Sequence, residues 1–189
     1  MSHFIALLDA NVLHSQPLTS LLIELAEARL YRAAWSEDIH AEWQRSVLKR
    51  RPEIDPAALE RRRAAMDASV PEACVSAYAA LVPCLSLPDP NDRHVLAAAI
   101  RAKAQVIVTF NESDFPAETL AGFDLVTQHP DLFLRHLIDL APAVVHARVE
   151  HMLKRWQRPP NTPEAFIAAL ERIGLPDAAA ALRELFAAG

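Results

Sequence analysis

Glycine is nearly missing from this chain: three occur in 189 residues, and the loop from Ala10 to Ser20 has none. A dinucleotide-binding α/β enzyme needs a glycine-rich turn after its first strand, so that class is disfavoured at the outset. Cysteine is scarce too. Cys74 and Cys84 are too few for a disulfide framework, and their ten-residue separation matches no zinc-site spacing, so both are expected as buried thiols. No run of eighteen apolar residues occurs, and the N-terminus lacks the basic flank and apolar stretch of a secretory leader. These two absences predict a cytoplasmic protein without a membrane span. The eight histidines (3, 14, 40, 94, 129, 136, 146 and 151) show no metal-ligand spacing, and surface or packing roles are expected for them. Aromatics make up 6% of the chain, and Trp35, Trp43 and Trp156 are expected in the core or an interface rather than stacked on bases.

What is present is a chain 52% hydrophobic and rich in Ala and Leu, the composition of an ordered, helix-rich domain with a modest extension. The net charge of −5 argues against nonspecific coating of nucleic acid. Its distribution is uneven. Between Arg45 and Arg63 seven basic residues (Arg45, Lys49, Arg50, Arg51, Arg61, Arg62, Arg63) face three acidic ones (Glu53, Asp55, Glu60). That stretch is either a phosphate-contacting patch or a solvated helical hairpin laced with ion pairs.

The first 130 or so residues alternate strand and helix signals. Phe4 to Leu8 is a continuous apolar run ending at Asp9, as in a strand buried on both faces. Leu18, Leu21, Leu22 and Leu25 recur at helical spacing, and a second strand-like stretch spans Leu30 to Trp35. Ser36 is an N-cap candidate for a helix carrying Ile39, Glu42, Trp43 and Val47, and Pro56 suits the first turn of the next, over Ala57 to Ser69. A further helical stretch is predicted over Glu72 to Leu81. Then comes LPDPNDRHVLAAAIRAKAQVIVTFNESDF, read as loop, helix opening at Asp92 with Asn91 as cap, strand over Val106 to Phe110, and a polar loop with Asn111 and Asp114. Pro116 opens a short helix, and Phe123 to Val126 is read as the last strand. The pattern predicts an α/β fold, a three-layer sandwich on a parallel sheet. From Pro130 onward only helix signals remain, punctuated by prolines, which gives a division into residues 1–134 and a helical C-terminal extension, 135–189.

Open parallel sheets bind ligands at the carboxyl ends of their strands, and Asp9, Asp92 and Asp114 fall there, with Glu42 flanking the buried stripe of its helix. Grouped carboxylates repel and raise one another's pKa unless a cation lies among them, and the fitting cation is hard and oxygen-loving: magnesium or manganese. Singly, each acid has an ordinary role as a turn cap, a helix-dipole partner or, for Glu42, a surface partner of Arg45 or Lys49. Asp89 competes with Asp92 as the third acid.

The runs LLDANVL (Leu7 to Leu13), DPNDRHVLAAAI and VTFNESDF resemble the motifs of PIN-domain nucleases over roughly residues 4 to 130. The resemblance matches Asp9, Glu42, Asp92 and Asp114 to the family's acids and Asn111 to a polar position beside the fourth. The tail, with NTPEAFIAALERIGLP, is similar to an extension in a subset of VapC-type toxins. This implies a metal-dependent endoribonuclease using Mg2+ or Mn2+, an RNA substrate, a homodimer and a cognate antitoxin. In such a site Asp9 and Asp92 are the main metal ligands, with Asp114 direct or through water. Glu42 is a ligand or orients water, and Asn111 and Thr109 support the shell. Lys49, Arg50, Arg51, Arg61, Arg62 and Arg63 are the candidate RNA contacts. Two other readings stand beside it. An aspartate phosphatase would want an Asp two residues after Asp9, where Asn11 stands, and a nonenzymatic partner-binding module could keep the same fold.

Overall fold

The computed structural model describes residues 4–187; His3 lies outside them. Strands β1 (Ile5–Leu8), β2 (Arg32–Ser36), β3 (Cys74–Val75), β4 (Val106–Val108) and β5 (Val126–Gln128) form one parallel sheet in the order β3-β2-β1-β4-β5. In β1, Ala6 pairs in register with Ala33 of β2 and with Val106 of β4. Ala6, Leu7 and Leu8 are fully buried, which explains why this strand is an unbroken apolar run rather than an alternating one.

Helices α1 (Gln16–Glu27), α2 (Glu37–Arg50) and α3 (Pro56–Ser69) connect the strands on one side of β1, and α4 (Arg93–Ala102) and α5 (Ala117–Ala121) those on the other. Right-handed crossovers in opposite directions along the sheet put the two sets on opposite faces, giving the expected three layers. Local chemistry sets the helix starts. The Ser15 hydroxyl accepts from the Leu18 amide, Ser36 from Ile39, and the Asp55 carboxylate from Ala57. With so few glycines, left-handed backbone falls on Arg29, Ala77, Lys103 and Asp124 as well as on Gly174.

Three expectations are corrected. Glu72 to Leu81 is not helical: Cys74–Val75 pairs with Trp35 and Ser36 as the edge strand, and a 3-10 turn follows over Ala79–Cys84. Two residues are too short to show alternation, so only pairing with β2 reveals this strand. The last strand is Val126–Gln128 because Asp124 is left-handed and ends the preceding turn. Cys74 and Cys84 are exposed, not buried.

The tryptophans go inward as expected. Trp35 and Trp43 are fully buried, and Trp156 packs edge-on against Phe166. The Trp43 indole donates to His40 Nδ1 at 2.9 Å, which leaves Nε2 to donate to Asp67, 3.2 Å away, and Trp35 donates to the same carboxylate. This buried chain of polar contacts ties β2, α2 and α3 together.

The rest of the described chain is helical: α6 (Pro130–Leu140), α7 (Pro142–Arg155), α8 (Pro163–Arg172) and α9 (Pro176–Ala187). Each starts on a proline, whose missing N–H costs nothing at a first turn. In α6 the Asp131 carboxylate accepts from the Asp177 and Ala178 amides and so caps α9 from outside. The helices are packed on the α/β body. Glu24 of α1, 3% exposed, is held by Arg148, His151 and Arg155 of α7, and Phe133 of α6 meets the Tyr31 ring edge-on at 5.1 Å. A division after residue 134 would cut α6, which runs unbroken through it.

Candidate active site

The sheet order reverses between β1 and β4, and a crevice opens where the two carboxyl ends diverge. Asp9 follows β1 there and is 7% exposed. Its Oδ1 accepts from the Ala10 amide at 2.7 Å, and its Oδ2 from the Asn11 amide group at 2.7 Å and the Thr109 hydroxyl at 2.8 Å. Thr109, just past β4, accepts in turn from the Asn11 side chain and the Asn111 backbone N–H, which fills the capacity of its hydroxyl. Asn11 also accepts from the Phe110 amide, clasping the ends of β1 and β4. Burial pushes the Asp9 carboxyl up to about 6, against the lowering effect of Thr109 and Ala10, with the Glu42 charge adding to the rise.

Asp92 stands at the N-cap position of α4, yet its side chain makes no capping hydrogen bond. It is half-buried, and desolvation followed by the charges of Asp9, Asp114, Asp89 and Glu42 raises its pKa to about 6. Asp89 is employed differently: its carboxylate accepts from the Asn91 amide at 2.8 Å and caps the 3-10 turn Pro90–Asp92. Capping therefore falls to Asp89 rather than Asn91, and Asp92 is the acid left facing the others. Asp114 ends a 3-10 turn over Glu112–Asp114 and is half-buried.

Glu42 does not pair with Arg45 or Lys49. Its Oε2 lies 3.2 Å from His94 Nε2, so α2 and α4 meet across the crevice. Burial lowers the His94 pKa, but the Glu42 hydrogen bond and charge outweigh it and the net shift is upward. Asp9, Glu42 and Asp114 thus all come within electrostatic reach of Asp92. Among the described residues, however, no three His, Cys, Asp or Glu side chains are gathered into a ready-made cation cage. The donor set itself is all oxygen, and beyond burial the charges of neighbouring acids add to the raised pKa of Asp9 and Asp92, which is the chemistry a hard divalent cation relieves.

Two residues were missed from sequence. Asn11, two residues after Asp9, gives the side-chain support expected of Asn111, whose own contact is through its backbone. The Asp-x-Asn spacing after a buried strand was its available signal. His94 had none, because its partner sits on a helix fifty residues away. The basic stretch also divides. The Arg62 guanidinium is largely buried: it donates to the Leu13 carbonyl and the Thr19 hydroxyl and lies 4.8 Å over the Trp43 ring. Arg63 is engaged by Glu37 and Asp67. Both are tethers within the body rather than open cations. Lys49, Arg50, Arg51 and Arg61 remain exposed, Arg51 and Arg61 beside Glu53 and Asp55.

The PIN domain family model matches residues 6–113, more than half of the chain, and covers β1, β4 and every acid above except Asp114. The chain belongs to the PIN-domain family. A second model, the VapC50 C-terminal domain, matches residues 130–184, the stretch of helices α6 to α9. A protein of Mycobacterium tuberculosis (strain ATCC 25618 / H37Rv), named as a candidate ribonuclease, VapC50, is 41% identical over 99 residues. That match spans 52% of this chain and 58% of the relative, so the chain covers less than two thirds of the relative's length. No solved structure matches the chain. This PIN domain therefore carries a VapC-type helical extension. No described helix is long and apolar enough to cross a membrane.

Proposed function

We propose that this PIN-domain protein is a metal-dependent endoribonuclease, a hydrolase of RNA phosphodiesters, and the toxin of a toxin-antitoxin pair. The observation that carries the reading is Asp92: a half-buried carboxylate with no hydrogen-bond partner at its helix cap, set among Asp9, Asp114 and Glu42 at the sheet's switch point. A side chain that only capped its helix would spend its oxygens on the first-turn amides. Asp9, Asp92 and Asp114 are the residues that would hold magnesium or manganese, with Glu42 beside them. Bound there, the ion would supply Lewis acidity to the phosphodiester and acidify water for attack in line.

The chain's own side chains then have separate tasks. Asn11 and Thr109 fix the Asp9 carboxylate and leave it unprotected on one side only, since three of its roughly four acceptor positions are taken. His94 holds Glu42 and keeps it from swinging out to the basic residues of its own helix. The first test is cleavage of RNA with magnesium or manganese and its arrest by a chelator; cleavage that persists in excess chelator overturns the metal mechanism.

The toxin role, a homodimer and a cytoplasmic setting rest on the likeness to VapC-type proteins. An adjacent gene for a small DNA-binding protein that co-purifies with this chain and silences cleavage would support the antitoxin pairing. Sedimentation of the purified chain tests the dimer.

A further inference from the structure

The α2–α3 hairpin, the start of α1 and the C-terminal helix α8 enclose a cleft of about 730 Å3, within the range of sites that hold small organic ligands. His14, Arg51, Arg61, Arg62 and Arg172 line it, and no Asp or Glu does. In a chain of net charge −5 this is an unusual concentration of one sign. Arg62 is committed to Leu13 and Thr19, so it contributes charge rather than free donors. Arg172 has no acidic partner among the described residues; its only side-chain bond is from Nε to the Ala168 carbonyl in its own helix. The Arg51 and Arg61 pairs with Glu53 and Asp55 are long, at 3.5 and 3.6 Å, and all four side chains are well exposed, so a stronger anion can displace the acids. The buried His14 Nε2 has no hydrogen-bond partner among the described residues. The first turn of α1, at Gln16, adds the positive end of a twelve-residue helix.

We infer that this cleft, built jointly by the PIN body and the helical extension, binds the phosphate backbone of the RNA beside the scissile site. The inference rests on the ribonuclease reading and extends it to where the substrate lies. Continuity favours RNA over an acidic polypeptide. His14 ends the 3-10 turn that follows the Asp9 loop, lines the cleft and lies within electrostatic reach of Glu42, which puts one wall of the cleft beside the acid cluster. The extension thereby gains a role in substrate placement through Arg172, a residue outside the matched PIN segment.

The test uses the full chain in chelator, so that nothing is cut, with a fluorescein-labelled single-stranded oligouridylate as probe and binding followed over a range of salt. Arg172→Ala is expected to weaken binding roughly fivefold and to reduce the slope of log affinity against log salt by about 0.7, the contribution of one single-strand phosphate contact. Adding Arg51→Ala and Arg61→Ala should lower the slope by about 2 in total. Arg172→Lys should restore much of the slope, and Arg183→Ala, whose side chain pairs with Glu171 outside the cleft, should leave it unchanged. Melting temperatures separate these effects from unfolding. An unaltered slope in the folded triple variant overturns the inference, as does poly-glutamate binding as tightly as RNA through the same arginines. Binding that is lost in the arginine variants, beside a wild-type chain that never cleaves RNA with magnesium or manganese, would sink the nuclease reading and leave the RNA-binding assignment of the cleft standing.

Discussion

Replacing Asp92 with Asn separates a metal-site acid from a helix-capping one, because the two roles give opposite signs of stability change. Asn keeps the size and capping ability of Asp but cannot ionise. In the metal-free protein the Asp92 carboxyl is raised from 3.8 to about 6 by burial and by its acidic neighbours. The folded state therefore holds this proton more tightly than the unfolded chain, and wild-type stability falls as pH rises from about 4 through about 6. At about 1.4 kcal/mol per pH unit the ceiling is about 3 kcal/mol; solvent reaching the half-buried group reduces this to about 1–2 kcal/mol. Asp92→Asn should recover that amount near pH 8 and almost none near pH 4. For a chain of this size the gain corresponds to a melting temperature higher by about 2–8 °C. Urea and thermal unfolding in chelator at both pH values provide the measurement, with a cleavage assay beside them in magnesium or manganese. Cleavage should fall by about a hundredfold or more, the scale of losing one group that stabilises transition-state charge. A loss of stability of about 0.3–1 kcal/mol at both pH values with activity intact would match a helix-dipole acid and refute the reasoning.

Arg62→Ala should destabilise the fold by about 2–4 kcal/mol, since it removes two buried hydrogen bonds and the stack on Trp43, and urea midpoints report it. Glu24→Ala leaves three bases of α7 without their acid and should speed amide exchange across α7 far more than in β1, at a cost of about 2 kcal/mol. Asp131→Ala uncaps α9 and should cost about 1–2 kcal/mol, read from the melting temperature. His94→Gln frees Glu42. The raised His94 pKa means that its ion pair contributes below the ordinary value of 6.5 and is lost as pH rises through the higher folded value, so the variant's stability deficit should shrink with increasing pH.

Much of this protein could be read from residues in order. The unbroken apolar run before Asp9 marks a central parallel strand because such a strand is covered on both faces, and serine and proline placed most helix starts through their local hydrogen bonding and fixed φ. The positions of Asp9 and Asp92 followed from the same logic, since strand ends and helix starts are local features. Other features depended on partners distant in sequence. The Cys74–Val75 strand exists only by pairing with β2, Arg62 is a tether only because Leu13 and Thr19 lie across from it, and His94 meets Glu42 only when α2 and α4 are packed together. Whether a charge is open to a ligand or already satisfied is set by desolvation and by what stands opposite. A sequence lists the charges, and the folded chain decides which of them are left unpaired.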